Sequence, residues 1–127
     1  MSEILTKVLE VGKANGYKAY TVDGHDFGYL VTPNGNVLSV CNAQWGTGVI
    51  FSLEYKPSQK CGSGCSCHTD TDEHDFGVRN VTERDLAYYE VEGLKFARQL
   101  KAPLYKNVDE WLDNCLWNKP WGLLREV

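Results

Sequence analysis

Three cysteines and two histidines fall within the run Cys61-Gly62-Ser63-Gly64-Cys65-Ser66-Cys67-His68-Thr69-Asp70-Thr71-Asp72-Glu73-His74. Thiolate sulfur and imidazole nitrogen are the donors of closed tetrahedral zinc sites. The run holds almost no apolar side chain, so burial cannot fix its shape. Cys65 and Cys67 can chelate together, and Gly62 and Gly64 free the turn that brings Cys61 back toward the same point. His74 is far enough along the chain to close the tetrahedron from the opposite side. His68, next to Cys67, is the alternative fourth ligand, through a cramped chelate. The pattern Cys-x3-Cys-x-Cys is tighter than the paired knuckles of zinc ribbons, and iron also accepts cysteine-rich donor sets.

Three thiolates and a neutral imidazole around a divalent cation leave a net charge of −1, which Lys60 beside the run can offset. A shell filled by four protein donors leaves no position for water or substrate, so such an ion shapes the chain and does not catalyse. Three other readings meet the same residues. A thiol-redox pair at Cys65 and Cys67 lacks the Cys-x2-Cys spacing at a helix start. A zinc hydrolase or deaminase needs a general-base glutamate in a His-x-Glu or His-Glu-x2-His setting, and neither occurs. A metal-free exposed loop would leave clustered thiols open to oxidation. The donor set favours a structural ion and a protein that is not an enzyme.

The remaining cysteines, Cys41 and Cys115, sit in apolar patterns and are expected as small buried hydrophobes. An odd total of five, three of them clustered, suits metal ligation in a reducing compartment better than a disulfide framework. The N-terminal residues carry Glu3 and Glu10 within a short apolar pattern, which argues against a secretory signal, and no run is long enough to cross a bilayer. A cytoplasmic protein is expected.

Net charge is −4, and its distribution is uneven. From Thr69 to Glu92 the acids Asp70, Asp72, Glu73, Asp75, Glu83, Asp85, Glu90 and Glu92 face only Arg79 and Arg84, a local charge of −6. Such a field repels phosphate and attracts a basic protein surface, so direct nucleic-acid binding is disfavoured. Asp70, Asp72, Glu73 and Asp75, with Glu83 and Asp85, are the candidate partner-binding residues. Trp117 and Trp121 are a second candidate, since tryptophan is enriched at interface hot spots.

The elements that must position these residues are legible in outline. Ser2 can cap a helix carrying Ile4, Leu5, Val8 and Leu9 at helical spacing, with Asn15-Gly16 as its stop. Four strands follow, near Tyr17–Val22, Phe27–Thr32, Val37–Cys41 and Val49–Tyr55, broken by Asp23-Gly24 and Pro33-Asn34-Gly35-Asn36. Thr82 with Asp85 predicts a capped helix whose stripe is Leu86, Tyr89, Gly93, Leu94, Ala97 and Leu100. Asn107 with Glu110 caps a last helix carrying Trp111, Leu112, Cys115 and Leu116. The expectation is one α+β domain, residues 1–127. Its order is an N-terminal helix, an antiparallel four-strand meander, a metal-binding loop at 61–75 between sheet and C-terminal helices, and two C-terminal helices covering one sheet face. His25-Asp26-Phe27-Gly28 is echoed by His74-Asp75-Phe76-Gly77, a match short enough for chance.

The run from Gly16 through Asp23, the turn Pro33-Asn34-Gly35, and Tyr55-Lys56-Pro57-Ser58 leading into Gly62-Ser63-Gly64-Cys65-Ser66-Cys67 resemble small proteins encoded by phages and mobile elements of Gram-positive bacteria. More narrowly, the whole chain resembles metal-binding members of the type II-A anti-CRISPR proteins, inhibitors of the Cas9 nuclease. These proteins share no common motif, so only the cysteine run carries over. The resemblance implies a non-enzymatic inhibitor in the bacterial host cytoplasm. Its acidic surface would dock on a basic, nucleic-acid-binding surface of the Cas9 recognition lobe. A zinc-stabilised interaction module with another partner is the alternative, and a thiol-redox or zinc enzyme the third.

Overall fold

A computed structural model describes residues 3–42, 49–54, 69–74, 82–99, 104–115 and 122–127. The order over these is α1 (Glu3–Ala14), β1 (Lys18–Val22), β2 (Phe27–Val31), β3 (Val37–Asn42), β4 (Val49–Glu54), β5 (Thr69–His74), α2 (Glu83–Gln99), α3 (Val108–Asn114) and β6 (Leu124–Glu126). The strands make one antiparallel sheet in the order β5-β4-β3-β2-β1-β6. The chain is α+β, with the N-terminal helix, the meander of β1 to β4 and two later helices in the expected places. Among the described residues no helix is long and apolar enough to cross a membrane.

Two strands go beyond the expectation. Thr69–His74, expected as the exit of the cysteine loop, is β5, paired with β4 from Glu54↔Thr69 to Val49↔His74. The cysteine run therefore lies between two strands of the sheet and not between sheet and helices. Thr-Asp-Thr-Asp-Glu-His has no apolar alternation, so the period-two signal is silent there, and the ladder to β4 makes the strand. β6 pairs with β1 at the other edge. Arg125 Nε reaches both oxygens of Asp23, at 2.8 and 2.7 Å, and the Asp23 amide donates to the Leu123 carbonyl at 2.9 Å.

The turns form as their residues dictate. α1 closes in a Schellman cap: the Tyr17 amide donates to the Gly12 carbonyl at 2.9 Å and the Gly16 amide to that of Lys13 at 3.2 Å, with Gly16 at φ 86°. At the β2–β3 turn Gly35 holds φ 85° and its amide donates to Thr32 at 2.9 Å. The proposed cap residue Ser2 lies outside the described residues.

The helices are divided between the two faces of the sheet, which corrects the expectation that they cover one. Leu5, Val8 and Leu9 of α1 and Leu86 and Tyr89 of α2 bury against Ala19, Leu30, Leu38, Val40, Phe51 and Leu53. Trp111 and Cys115 cover the opposite face against Tyr20, Val22, Tyr29, Val31 and Val37. Alternate residues of a strand face opposite ways, and β2 is buried at Gly28, Tyr29, Leu30 and Val31, so both of its faces need cover. Trp111 meets Tyr20 and Tyr29 edge-on at centroid distances of 5.5 and 5.0 Å.

Candidate functional site

Of the candidate metal ligands, Cys61, Cys65, Cys67 and His68 lie outside the described residues, as does Asp75. Lys60, Trp117, Trp121 and Leu116 lie outside them too. The described backbone frames the run from both sides. Glu54↔Thr69 is the last described pair between β4 and β5, at the end from which residues 55–68 connect the two strands in sequence. His74 stands at the other end, opposite Val49. Five residues of antiparallel strand separate Thr69 from His74, about 17 Å at 3.4 Å per residue. His68 adjoins Thr69 in sequence. Cys67 precedes Thr69 by two residues in sequence, whereas His74 stands at the far end of β5. Among the described residues no group of three or more His, Cys, Asp or Glu gathers as a metal site.

His74, the first residue of the second His-Asp-Phe-Gly segment, stands at the same end of the sheet as the first segment's Phe27. Phe27 opens β2 opposite Cys41, Asn42 pairs with Val49, and Val49 pairs with His74. Four strands, β2 to β5, thus span from one segment to the other.

Among the described residues the candidate partner-binding acids fall on two separate elements. Asp70, Asp72 and Glu73 lie in β5 at the sheet edge, opposite Leu53, Phe51 and Ile50. Glu83 and Asp85 open α2. Asp85 is engaged in the cap: its Oδ2 accepts from the Thr82 amide at 2.8 Å and the Thr82 hydroxyl at 3.0 Å, while its own amide donates to Thr82 Oγ1 at 3.4 Å. Glu83 is exposed. Burial, then Glu90, then Glu83 push the Tyr17 phenol above its ordinary value, which sets the start of α2 near the entry to β1. β1 and β5 are separated by β2, β3 and β4.

α2 then crosses toward the acidic edge, with Tyr89 stacked on Phe51 at 4.6 Å and Gly93 against Leu53. Two of the acids counted in the −6 segment are already used on the way. Glu90 is buried, accepting from Thr32 Oγ1 and Asn36 Nδ2, each at 2.9 Å. Glu92 pairs with Lys95 at 3.3 Å. Glu90 is the residue that sequence reasoning missed as structural. The available signal was its place beside Leu86, Tyr89 and Gly93 on the apolar stripe.

Cys115 is buried as expected. Cys41 is half-buried on β3, and burial, followed by Asp26, pushes its thiol up from the usual value. A cavity of about 350 Å³ lies at the β2–β3 turn, lined by residues that include Lys18, Val31, Asn34 and Lys106, and none of the candidate ligands or acids lines it. No protein-family model, curated protein or solved structure matches the chain.

Proposed function

We propose that this chain is a zinc-stapled, non-enzymatic docking protein that inhibits a type II-A Cas9 by direct binding in the bacterial host cytoplasm. The observation that carries the reading is the setting of the cysteine run: three thiols lie in the 14 residues joining two paired strands, one of which is the acidic edge strand β5. Cys61, Cys65 and Cys67 would hold the ion. The register of β4 and β5 supports His68 over His74 as the fourth donor, because His68 adjoins in sequence the end from which the run connects the two strands. Bound there, zinc would brace the β4–β5 pair whose edge strand carries Asp70, Asp72 and Glu73. Structural zinc in finger peptides contributes about 10–16 kcal/mol, comparable with the stability of a whole domain.

Cas9 holds its guide–target duplex in a positively charged channel, and an acidic edge on a small domain complements such a surface on the recognition lobe. The anti-CRISPR assignment rests on the sequence resemblance. A DNA-cleavage assay with purified protein in excess tests it against several type II-A Cas9 enzymes. Inhibition that weakens on D70K/D72K is the expected result. Undiminished cleavage by every enzyme would replace this reading with a zinc-stabilised module for another protein partner.

A further inference from the structure

We propose that the outward face of α2 is a second docking surface, of opposite sign to β5, that takes an amphipathic helix of a partner protein bearing acidic residues at both ends of an apolar centre. Leu86, Tyr89, Glu90 and Gly93 turn inward. Arg84, Ala87, Tyr88, Val91, Lys95 and Arg98 are all exposed and recur at spacings of three and four, so they form one stripe along the helix. In a chain of net charge −4 this stripe contains three cations and no acid. Acids lie on both of its flanks, the exposed Glu83 beside Ala87 and Glu92 beside Tyr88, and Glu92 pairs with Lys95 at 3.3 Å.

The stripe has an apolar middle and charged ends. Tyr88 is 53% exposed and Val91 50%, two of the four large apolar side chains that stand out from the described surface. Tyr88 is oriented by an edge-on contact with Tyr89 at 5.2 Å and 85°. Arg84 and Arg98 are separated by about 21 Å at 1.5 Å per residue. An apolar centre within a charged rim is the anatomy of a protein–protein contact.

Charge decides among the possible occupants. Val91 is equally far in sequence from Arg84 and Arg98. Antiparallel pairing of two copies about Val91 would set Arg84 against Arg98, and parallel pairing would set each arginine against itself, so a second copy is opposed in both orientations. A nucleic acid would find its cations at the ends and not the centre, and would approach against the net negative charge. An amphipathic helix with acids near both ends meets Arg84 on one side and Lys95 with Arg98 on the other, while its apolar centre covers Ala87, Tyr88 and Val91.

Fluorescence anisotropy tests this with a labelled synthetic helix of about 15 residues, matched to the Arg84–Arg98 span of about 21 Å, with leucine and alanine at its centre and glutamate near both ends. The probes for comparison are the same peptide with lysine for glutamate, and single-stranded and duplex DNA of similar length. The acidic peptide is expected to bind at least about tenfold more tightly than the lysine peptide, and V91E and R84E/R98E should each weaken it by about tenfold or more. All the substituted residues are exposed, and circular dichroism checks that the fold is kept. Equal binding of the two peptides, no binding of the acidic one at about 100 μM, or insensitivity to both variants would overturn the proposal. Binding of DNA that R84E/R98E abolishes, without binding of the acidic peptide, would overturn it in favour of a nucleic-acid face.

Discussion

Thr32 Oγ1 donates to Glu90 Oε1 at 2.9 Å, tying the β2–β3 turn to the middle of α2 across 58 residues of chain. Asn36 Nδ2 donates to the same oxygen at 2.9 Å, and the Asn36 amide donates back to Thr32 Oγ1 at 3.1 Å. Glu90 is 8% exposed and Thr32 4%, so water cannot readily replace the carboxylate. Glu90→Ala removes the acceptor of two donors and should lower the unfolding free energy by about 2–3 kcal/mol. Urea unfolding followed by tryptophan fluorescence measures it, and an unchanged midpoint would refute this role for the pair.

Gly93 sets how closely α2 lies on β4. A Cβ there would sit 2.7 Å from Leu53 Cβ, an atom fixed to the strand backbone that cannot swing aside. Helix propensity alone predicts that Gly93→Ala gains about 1 kcal/mol. The contact predicts instead a loss of about 1–3 kcal/mol through overpacking. The sign of the melting-temperature shift separates the two.

Zinc content discriminates between the histidines. Elemental analysis of the purified protein should find zinc, Cys65→Ser should lose it, and His68→Ala should lower its retention against a competing chelator far more than His74→Ala. Metal and melting temperature unchanged in Cys65→Ser would mean that the cysteine run is not the ligand set.

Alkaline pH should weaken the fold through Tyr17. Burial, then Glu90 and Glu83, raise its phenol above the ordinary value of 10.0. The folded state therefore keeps a proton that the unfolded state has already lost, so the stabilisation is complete below about pH 10 and falls as pH climbs through the folded value. Tyr17→Phe should flatten that decline in a pH series of denaturant midpoints. Tyr20, raised by burial and then by Glu126 and Asp109, would supply the slope that remains.

Cys41 should be a poor nucleophile. Burial raises its thiol above 9.0, and the Asp26 carboxylate adds to the shift, so little thiolate exists at neutral pH. Peptide mapping after iodoacetamide at about pH 8 should find Cys41 labelled more slowly than an unstructured cysteine peptide of ordinary acidity. Equal rates would mean that the half-buried site gives no protection.

Local chemistry was readable wherever it depends on near neighbours. The Asn15-Gly16 stop, the Asn34-Gly35 turn and the Thr82–Asp85 cap each involve residues a few positions apart. At the last helix Asn107 Oδ1 accepts from the Glu110 amide at 2.8 Å as its residue types require, while the Glu110 carboxylate reaches the Lys106 amide at 2.7 Å. The four alternating strands and the amphipathic stripes of α1 and α2 were readable for the same reason, because burial on one face imprints a period on the sequence.

Tertiary structure decided what no local pattern records. β5 is a strand because β4 offers it a ladder, although its own side chains show no apolar alternation. Trp111 lies across the sheet from α1 and α2 because β2 is buried on both sides, and a stripe on one helix does not say which face it will cover. Charge was the most misleading when counted along the chain. The acids and bases of α2 are interleaved in sequence, yet the helix turn sends Glu90 inward to Thr32 and leaves Arg84, Lys95 and Arg98 on the opposite side. A sum over residues fixes the net charge of this protein, but the geometry of the helix and its seat on the sheet determine where each sign meets a partner.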